Sequence, residues 1–231
     1  MRDRSRTRAR MPSPPSRIAV LASGRGSNLQ AVLDAIAAGQ LHAQVVGVFS
    51  DKPGSAALQR VPEPLRWSAV PARYPSRADY DAALTDAVAA SAPDWVLCAG
   101  YMRILSDGFV QRFRGRVLNI HPSLLPKHRG LHTHARALED GDAEHGASVH
   151  FVIPELDAGA VIAQAAVPVQ AGDTAETLGA RVLSVEHPLL LATLRLAVTG
   201  RITEQGATAA LDGHALFTPL RLDSAGNLPP L

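Results

Sequence analysis

The stretch RIAVLASGRGSNLQA, residues 17–31, decides the fold. Six apolar or small residues in seven read as a strand buried on both faces. Two glycines then break the run, and Ser27 opens an amphipathic helix. A strand that turns through glycines into a helix is the entry of a nucleotide-binding α/β unit. Gly24 and Gly26 let backbone approach a ligand, Ser27 is placed to cap the helix, and the free N–H groups of Gly26, Ser27 and Asn28 meet an anion at the positive end of the helix dipole. A phosphate is the natural occupant. The dinucleotide fingerprint G-x-G-x-x-G wants a glycine or alanine where this chain has Leu29, and the Gly-Lys-Ser/Thr of a P-loop is absent. Asp51, after the second strand, stands where a ribose-binding acid would, so a dinucleotide site stays open, as does a plain βα turn with no ligand.

Working outward, β-rich runs alternate with helical patterns. Strands are expected at 17–23, 44–50, 67–70, 94–100, 116–120, 147–153 and 160–169, with helices in SNLQAVLDAIAAG, SRADYDAALTDAVAASA and the shorter DGFVQRF. The nearly all-apolar early strands predict an open, mostly parallel twisted α/β sheet with helices on both faces, of Rossmann-like kind. A long helix from Thr174 to about Gly200, opened by a T-x-E pattern and interrupted by Pro188, covers one face. In such sheets ligands sit beyond the carboxyl ends of the strands.

Composition narrows the classes. The chain has 231 residues and 46% apolar content, enough for one large domain with one core. Its formal charge of +2 comes from the segment MRDRSRTRARMPSPPS, residues 1–16, whose five arginines face one aspartate. That segment is too polar and proline-rich to fold and reads as a disordered basic tail. Without it the body is near neutral. No aromatics interleave with the arginines, so no nucleic-acid partner is expected. No apolar run reaches the roughly 18 residues of a membrane span, no secretory signal is legible, and the single Cys98 sits in an apolar run, so a soluble cytoplasmic protein without disulfides is the expectation. A homodimer is left open. Residues 206–231 read as a C-terminal extension, loose over its last part, TPLRLDSAGNLPPL, residues 218–231.

The second informative stretch is NIHPSLLPKHRGLHTH, Asn119 to His134. Asn119 and His121 lie two apart on an extended strand, so their side chains share a face, and Pro122 and Pro126 stiffen the exit. An amide and an imidazole side by side are suited to an oxyanion developing on an acyl group. Asp157, in the turn of PELDAGAV, is placed to orient His121 or to carry a proton. The alternative for His121 is a core histidine bonded to backbone. His132 and His134 form an H-x-H pair that could join a metal site, but residues two apart on a helix face apart, and no metal is expected. His128, His145 and His187 are expected at the surface or at helix ends, and His150, inside a strand, in the core or beside the site.

Together, SGRGSNLQA, AGYMRILS, NIHPSLLPKHRGLHTH, HGASVHFV, ELDAGAVI and EHPLLL resemble the glycinamide ribonucleotide formyltransferases of purine biosynthesis over about residues 17–205. The resemblance implies that a formyltransferase domain fills 17–205 and that 10-formyltetrahydrofolate is the cosubstrate. It implies Asn119, His121 and Asp157 as the catalytic trio, and Gly26, Ser27, Asn28 and Glu186 as the grip on the ribonucleotide phosphate and ribose. Met102, Arg103, Ile104, Leu105 and Val152, with the loop ending at Asp157, correspond to the folate-binding segments, and Arg77 to a contact with the folate glutamate tail. Three features depart from the family pattern: KHRG at 127–130 where an aromatic residue is usual, Pro154 without an N–H in the folate loop, and Leu183 at a position often polar. LQRVPEPLRW also shortens the helix expected after the second strand. Three rivals remain. A methionyl-tRNA formyltransferase would add an RNA-binding domain and a basic body, a formyltetrahydrofolate hydrolase a regulatory domain, and a non-catalytic nucleotide-binding protein would need neither Asn119 nor Asp157.

Overall fold

A computed structural model describes residues 13–229; residues 1–12, the greater part of the expected tail, and residues 230–231 lie outside the described residues. Strand β1 (Ser16–Leu21), with Ala22 just after it, alternates Ile18, Val20 and Ala22 toward one side with Ala19 and Leu21 toward the other, and all five are fully buried. A strand between two apolar layers needs no polar alternation, which is why the run reads as continuously apolar. It pairs in parallel with β2 (Ala43–Ser50) and with β4 (Trp95–Cys98). Strand β3 (Arg66–Ser68) follows β2 at one edge, and β5 (Val117–His121) lies in parallel beside β4. Strands β6 (Glu144–Phe151) and β7 (Val161–Pro168) complete the body, with β6 antiparallel to both neighbours. The sheet is thus mostly parallel, as expected, with one reversed strand.

Helices α1 (Ser27–Ala37), α4 (Thr133–Glu139) and α5 (Ala175–Val198) cover one face, and α2 (Arg77–Ala90) and α3 (Asp107–Arg112) the other. On α2, Tyr80, Leu84 and Val88 recur every four residues and are buried against Phe109 and Phe113. Between β2 and α2 no α-helix forms; single 3-10 turns at Leu58–Arg60, Glu63–Leu65 and Pro71–Arg73 flank the short strand β3, the irregularity that the prolines there predict.

Four local expectations change. Ser27 is the first helical residue of α1 and not its cap; Gly26, in the left-handed region at φ 72°, caps without a side chain. Thr174 caps α5, but in a capping box whose second partner is Thr177 and not the neighbouring Glu176. Helix α5 runs through Pro188 as one element, because packing of Leu189, Leu190 and Leu194 outweighs the lost backbone bond. The C-terminal stretch is not loose throughout. Strands β8 (Ile202–Gln205), β9 (Thr208–Leu211) and β10 (His214–Leu216) form a small antiparallel sheet, and β11 (Leu220–Arg221) adds to the edge of β7 with Leu220 buried. No helix among the described residues is long and apolar enough to cross a membrane.

The strand order is β11-β7-β6-β5-β4-β1-β2-β3. The chain therefore leaves β1 in one direction and returns to its other side at β4. Such a switch opens a crevice at the carboxyl ends of the strands, and that is where the site lies.

Candidate active site

A cavity of about 640 Å³ opens past the ends of β4 and β5. Its floor brings together residues far apart in sequence. Asp157 carries the centre: its Oδ2 accepts from the Gly130 N–H at 2.9 Å and lies 3.4 Å from His121 Nδ1, while its Oδ1 lies 3.4 Å from Asn119 Nδ2 and 3.6 Å from His150 Nε2. The amide and imidazole two apart on β5 do face one space, and the carboxylate that the sequence left unplaced meets both. Asp157 sits at φ 48°, and His128 and His132, in the loop across the cavity, at φ 54° and φ 58°. Non-glycine residues are strained there, and three so close together show a surrounding structure that over-determines the backbone.

Hydrogen bonding fixes proton positions. His150 Nδ1 lies 2.8 Å from the Phe151 carbonyl, which can only accept, so Nδ1 carries hydrogen, while Nε2 faces both Asn119 Nδ2 at 3.1 Å and Asp157 Oδ1 at 3.6 Å. Likewise His121 Nε2 donates to the His128 carbonyl at 3.0 Å, which leaves Nδ1 as the nitrogen that exchanges a proton beside Asp157. Burial pushes the His121 pKa below the ordinary imidazole value, against the pull of the His128 carbonyl and of Asp157. Burial alone would raise the Asp157 carboxyl; the neighbouring His150, the charge of His121 and the Gly130 N–H outweigh it and hold the group ionised. An ionised carboxylate beside an imidazole with one free nitrogen can accept, hold and pass on a proton.

One end of the cavity is formed by Asn28 and Glu186, with Asn28 Nδ2 donating to Glu186 Oε2 at 2.9 Å. Burial raises the Glu186 pKa, partly offset by that bond. Asn28 Oδ1 is buried without a partner, an acceptor open to a ligand hydroxyl or amine. Gly26 and Ser27 stand at the start of α1 just before it, outside the cavity wall. A Cβ on Gly26 would meet Ala57 at 2.8 Å, so this glycine is needed for backbone packing whatever it binds. Gly24 shows no such need.

Met102, Arg103, Ile104, Leu105 and Val152 line the other half. Met102 and Ile104, with Leu131 and Leu156 opposite, are large apolar side chains left exposed at the mouth. Arg103 lies over the Tyr80 ring, 5.4 Å from its centroid. Arg77 is outside the cavity, on α2, donating to the Ile104 carbonyl at 3.1 Å and pairing with Asp81. The segment is also tied to the first strand: Ser23 Oγ donates to Asp51 at 2.6 Å and accepts from the Met102 N–H at 3.0 Å. Asp51 thus holds backbone in place and does not line the cavity.

The remaining histidines correct the sequence reading. His128 and His145 are buried, not at the surface, because each finds a polar partner there: His128 Nε2 with Asp142 Oδ2 at 2.7 Å, and His145 Nε2 with His134 Nδ1 at 3.1 Å. Burial lowers the His145 pKa to about 4 and that of His134 also. His187 is half-buried, and its Nε2 has no partner. The H-x-H pair divides, His134 reaching His145 and His132 holding the left-handed start of α4. Sequence reasoning missed the Gly130 N–H, the His128 carbonyl and the Ser23–Asp51 tie. The first two are backbone groups with no compositional signal, whereas a serine just after β1 and an aspartate just after β2, on neighbouring strands, could have suggested the third.

Comparison with known proteins gives the family. The formyl transferase family profile matches residues 16–194. The phosphoribosylglycinamide formyltransferase of Escherichia coli K12 is 47% identical over 201 residues, covering 86% of this chain and 95% of that protein, and that of Mycobacterium tuberculosis is 44% identical, covering 87% and 93%. Among solved structures, glycinamide ribonucleotide transformylase 1 from Symbiobacterium toebii superposes with a TM-score of 0.83 at 41% identity, over 87% of this chain and 95% of the other. A formyltetrahydrofolate deformylase from Pseudomonas syringae shares the fold at 25% identity and a TM-score of 0.76, over 85% and 66%. The chain belongs to the formyl transferase family, with the phosphoribosylglycinamide formyltransferases.

Proposed function

We propose that the cavity transfers a formyl group from 10-formyltetrahydrofolate to the primary amine of glycinamide ribonucleotide, giving N-formylglycinamide ribonucleotide and tetrahydrofolate, a step of purine synthesis. The observation that carries the reading is the convergence of Asn119, His121 and Asp157 on one buried point between a polar and an apolar half-cavity. The apolar mouth around Met102, Ile104, Leu131 and Leu156 suits a flat heteroaromatic ring. The polar end at Asn28 and Glu186, beside the start of α1, suits a ribose phosphate.

In this reading the neutral amine attacks the formyl carbon and the formyl oxygen becomes an oxyanion. Asn119 Nδ2, whose 3.4 Å contact to Asp157 is long enough to be redirected, and protonated His121 Nδ1 donate to it. Asp157 takes the amine proton, directly or through a water, and the proton that completes the leaving folate nitrogen returns through the same groups as the intermediate collapses. No charge is left over and no metal is called on. The test is substrate selection. Removal of the substrate phosphate should lower kcat/KM for the amine by about a hundredfold or more, since remote binding energy is used to place the amine. Equal kcat/KM for phosphorylated and dephosphorylated amines would remove the α1 end from the reading.

A further inference from the structure

We infer that His128 is a positioning residue for His121: its side chain, bonded to Asp142, holds its own backbone carbonyl on His121 Nε2 and so selects the tautomer whose Nδ1 faces Asp157. The inference rests on the reading of His121 as catalytic, and goes beyond it by assigning work to a residue outside the cavity.

Residues 122–132 contain no helix or strand, yet one of their carbonyls must sit 3.0 Å from a catalytic nitrogen. The first part of the loop is tied elsewhere, by Ser123 Oγ to the Lys127 carbonyl and by Ser148 Oγ and Gln164 to the backbone of Leu125. The last part is tied through the Gly130 N–H to Asp157 and the Arg129 carbonyl to Arg136. Neither set fixes the peptide after His128, whose residue is also in the left-handed region, where a branched or bulky side chain costs about 1 kcal/mol or more. What fixes it is the imidazole, buried with Nε2 2.7 Å from Asp142 Oδ2, in the turn between α4 and β6. Asp142 also takes Lys127 Nζ, and bonding to His128 first and Lys127 second holds its carboxyl below the usual range. Around His128 stand Asp142 and Asp140 from that turn, Lys127 from the loop and His145 from β6. Around His121 stand Asp157, His150 from β6, and His134 and Arg136 from α4.

If the carbonyl drifts, Nε2 loses its acceptor, both neutral tautomers of His121 become populated, and the protonated form loses a bond that favours it. Loss of tautomer control in an oriented catalytic histidine costs up to about 10⁴ in rate.

The experiment compares His128→Asn with His128→Gln in the full chain. Asparagine tolerates the left-handed conformation but is too short to reach Asp142; glutamine fits that backbone less well but can place its amide N–H where Nε2 was. We expect His128→Asn to lower kcat about tenfold or more with KM for both substrates nearly unchanged. It should move the apparent pKa of His121 in the kcat profile downward, and His128→Gln should recover most of both. In parallel, ¹⁵N spectra of labelled histidine should show His121 protonated only at Nε2 in the neutral wild type and a tautomer mixture in His128→Asn. A folded His128→Asn with wild-type kcat and the wild-type His121 spectrum overturns the inference, as does a His128→Gln variant no better than His128→Asn. Should His128→Asn not fold, Asp142→Ala gives the same readouts with the same expected result. His121→Ala separates the two levels: full activity there refutes the catalytic reading itself, whereas an inactive His121→Ala beside an unaltered His128→Asn refutes only the role of His128.

Discussion

Asp157→Asn is the substitution whose consequence can be worked most fully. The side chain keeps its shape, and its carbonyl oxygen keeps the 2.9 Å bond from the Gly130 N–H. Its new NH₂ then points at Asn119 Nδ2 and His150, so two donors meet where a donor met an acceptor. The negative charge 3.4 Å from His121 Nδ1 is lost, and with it one of the causes that raise the His121 pKa against burial. At an effective dielectric of about 20, two unit charges at that distance attract by about 5 kcal/mol. A hundredfold drop in kcat needs about 2.7 kcal/mol. If a little more than half of the attraction, about 2.7 kcal/mol, acts on the His121 imidazolium in the transition state, kcat falls about a hundredfold while the amine and folate KM values change little. The assay is steady-state turnover followed by folate absorbance, with circular dichroism and a melting curve to show that the variant folds. A folded Asp157→Asn enzyme with kcat within about threefold of wild type would refute the reasoning, because among the described residues Asp157 is the carboxylate paired with His121 Nδ1.

Further outcomes follow from the same geometry. His121→Ala should lower kcat by about a hundredfold or more with folding intact, checked by the same turnover and melting measurements. Gly26→Val should lower Tm as well as raise KM for the ribonucleotide, since the added atoms meet Ala57 at a position with φ 72°; a raised KM at unchanged Tm would mean that Ala57 gives way freely. His121, His134 and His145 have pKa values below that of the unfolded imidazole, so the stability they allow is present above about pH 6.5 and is lost as pH falls toward about 4. His145→Gln should therefore flatten the decline of Tm between pH 6.5 and 4, and an unchanged slope would place the titration elsewhere. Glu186→Gln should raise KM for the ribonucleotide and leave KM for folate within about twofold, measured by varying each substrate in turn.

The sequence showed the sheet because β1, β2 and β4 are apolar on both faces and are interleaved with helical periodicity, a local signal. It did not show that β6 is reversed, since direction is decided by pairing with β5 and β7 and not by residue pattern. The C-terminal strands were overlooked for a related reason: Leu220 is the lone buried apolar residue of β11 and acquires its meaning from the free edge of β7. In the site, Asn119 and His121 were legible as a pair from strand spacing, whereas their meeting with Asp157 depends on a loop returning across the sheet. His128 and His145 were misjudged because a histidine is buried only with a partner, and their partners, Asp142 and His134, are 14 and 11 residues away. Ser27 looked like a cap from its type alone, but the turn needs a left-handed residue at 26, which only glycine supplies cheaply.

The most direct test of the account follows the formyl carbon. Purified protein is incubated with glycinamide ribonucleotide and 10-formyltetrahydrofolate carrying ¹³C in the formyl group, and the label is traced by NMR. The account predicts that the label appears on the amine nitrogen of the ribonucleotide at the rate at which tetrahydrofolate is released, with no matching formate, and that His121→Ala and Asp157→Asn slow both together by about a hundredfold. Label recovered as formate at that rate, with or without the ribonucleotide, would contradict it.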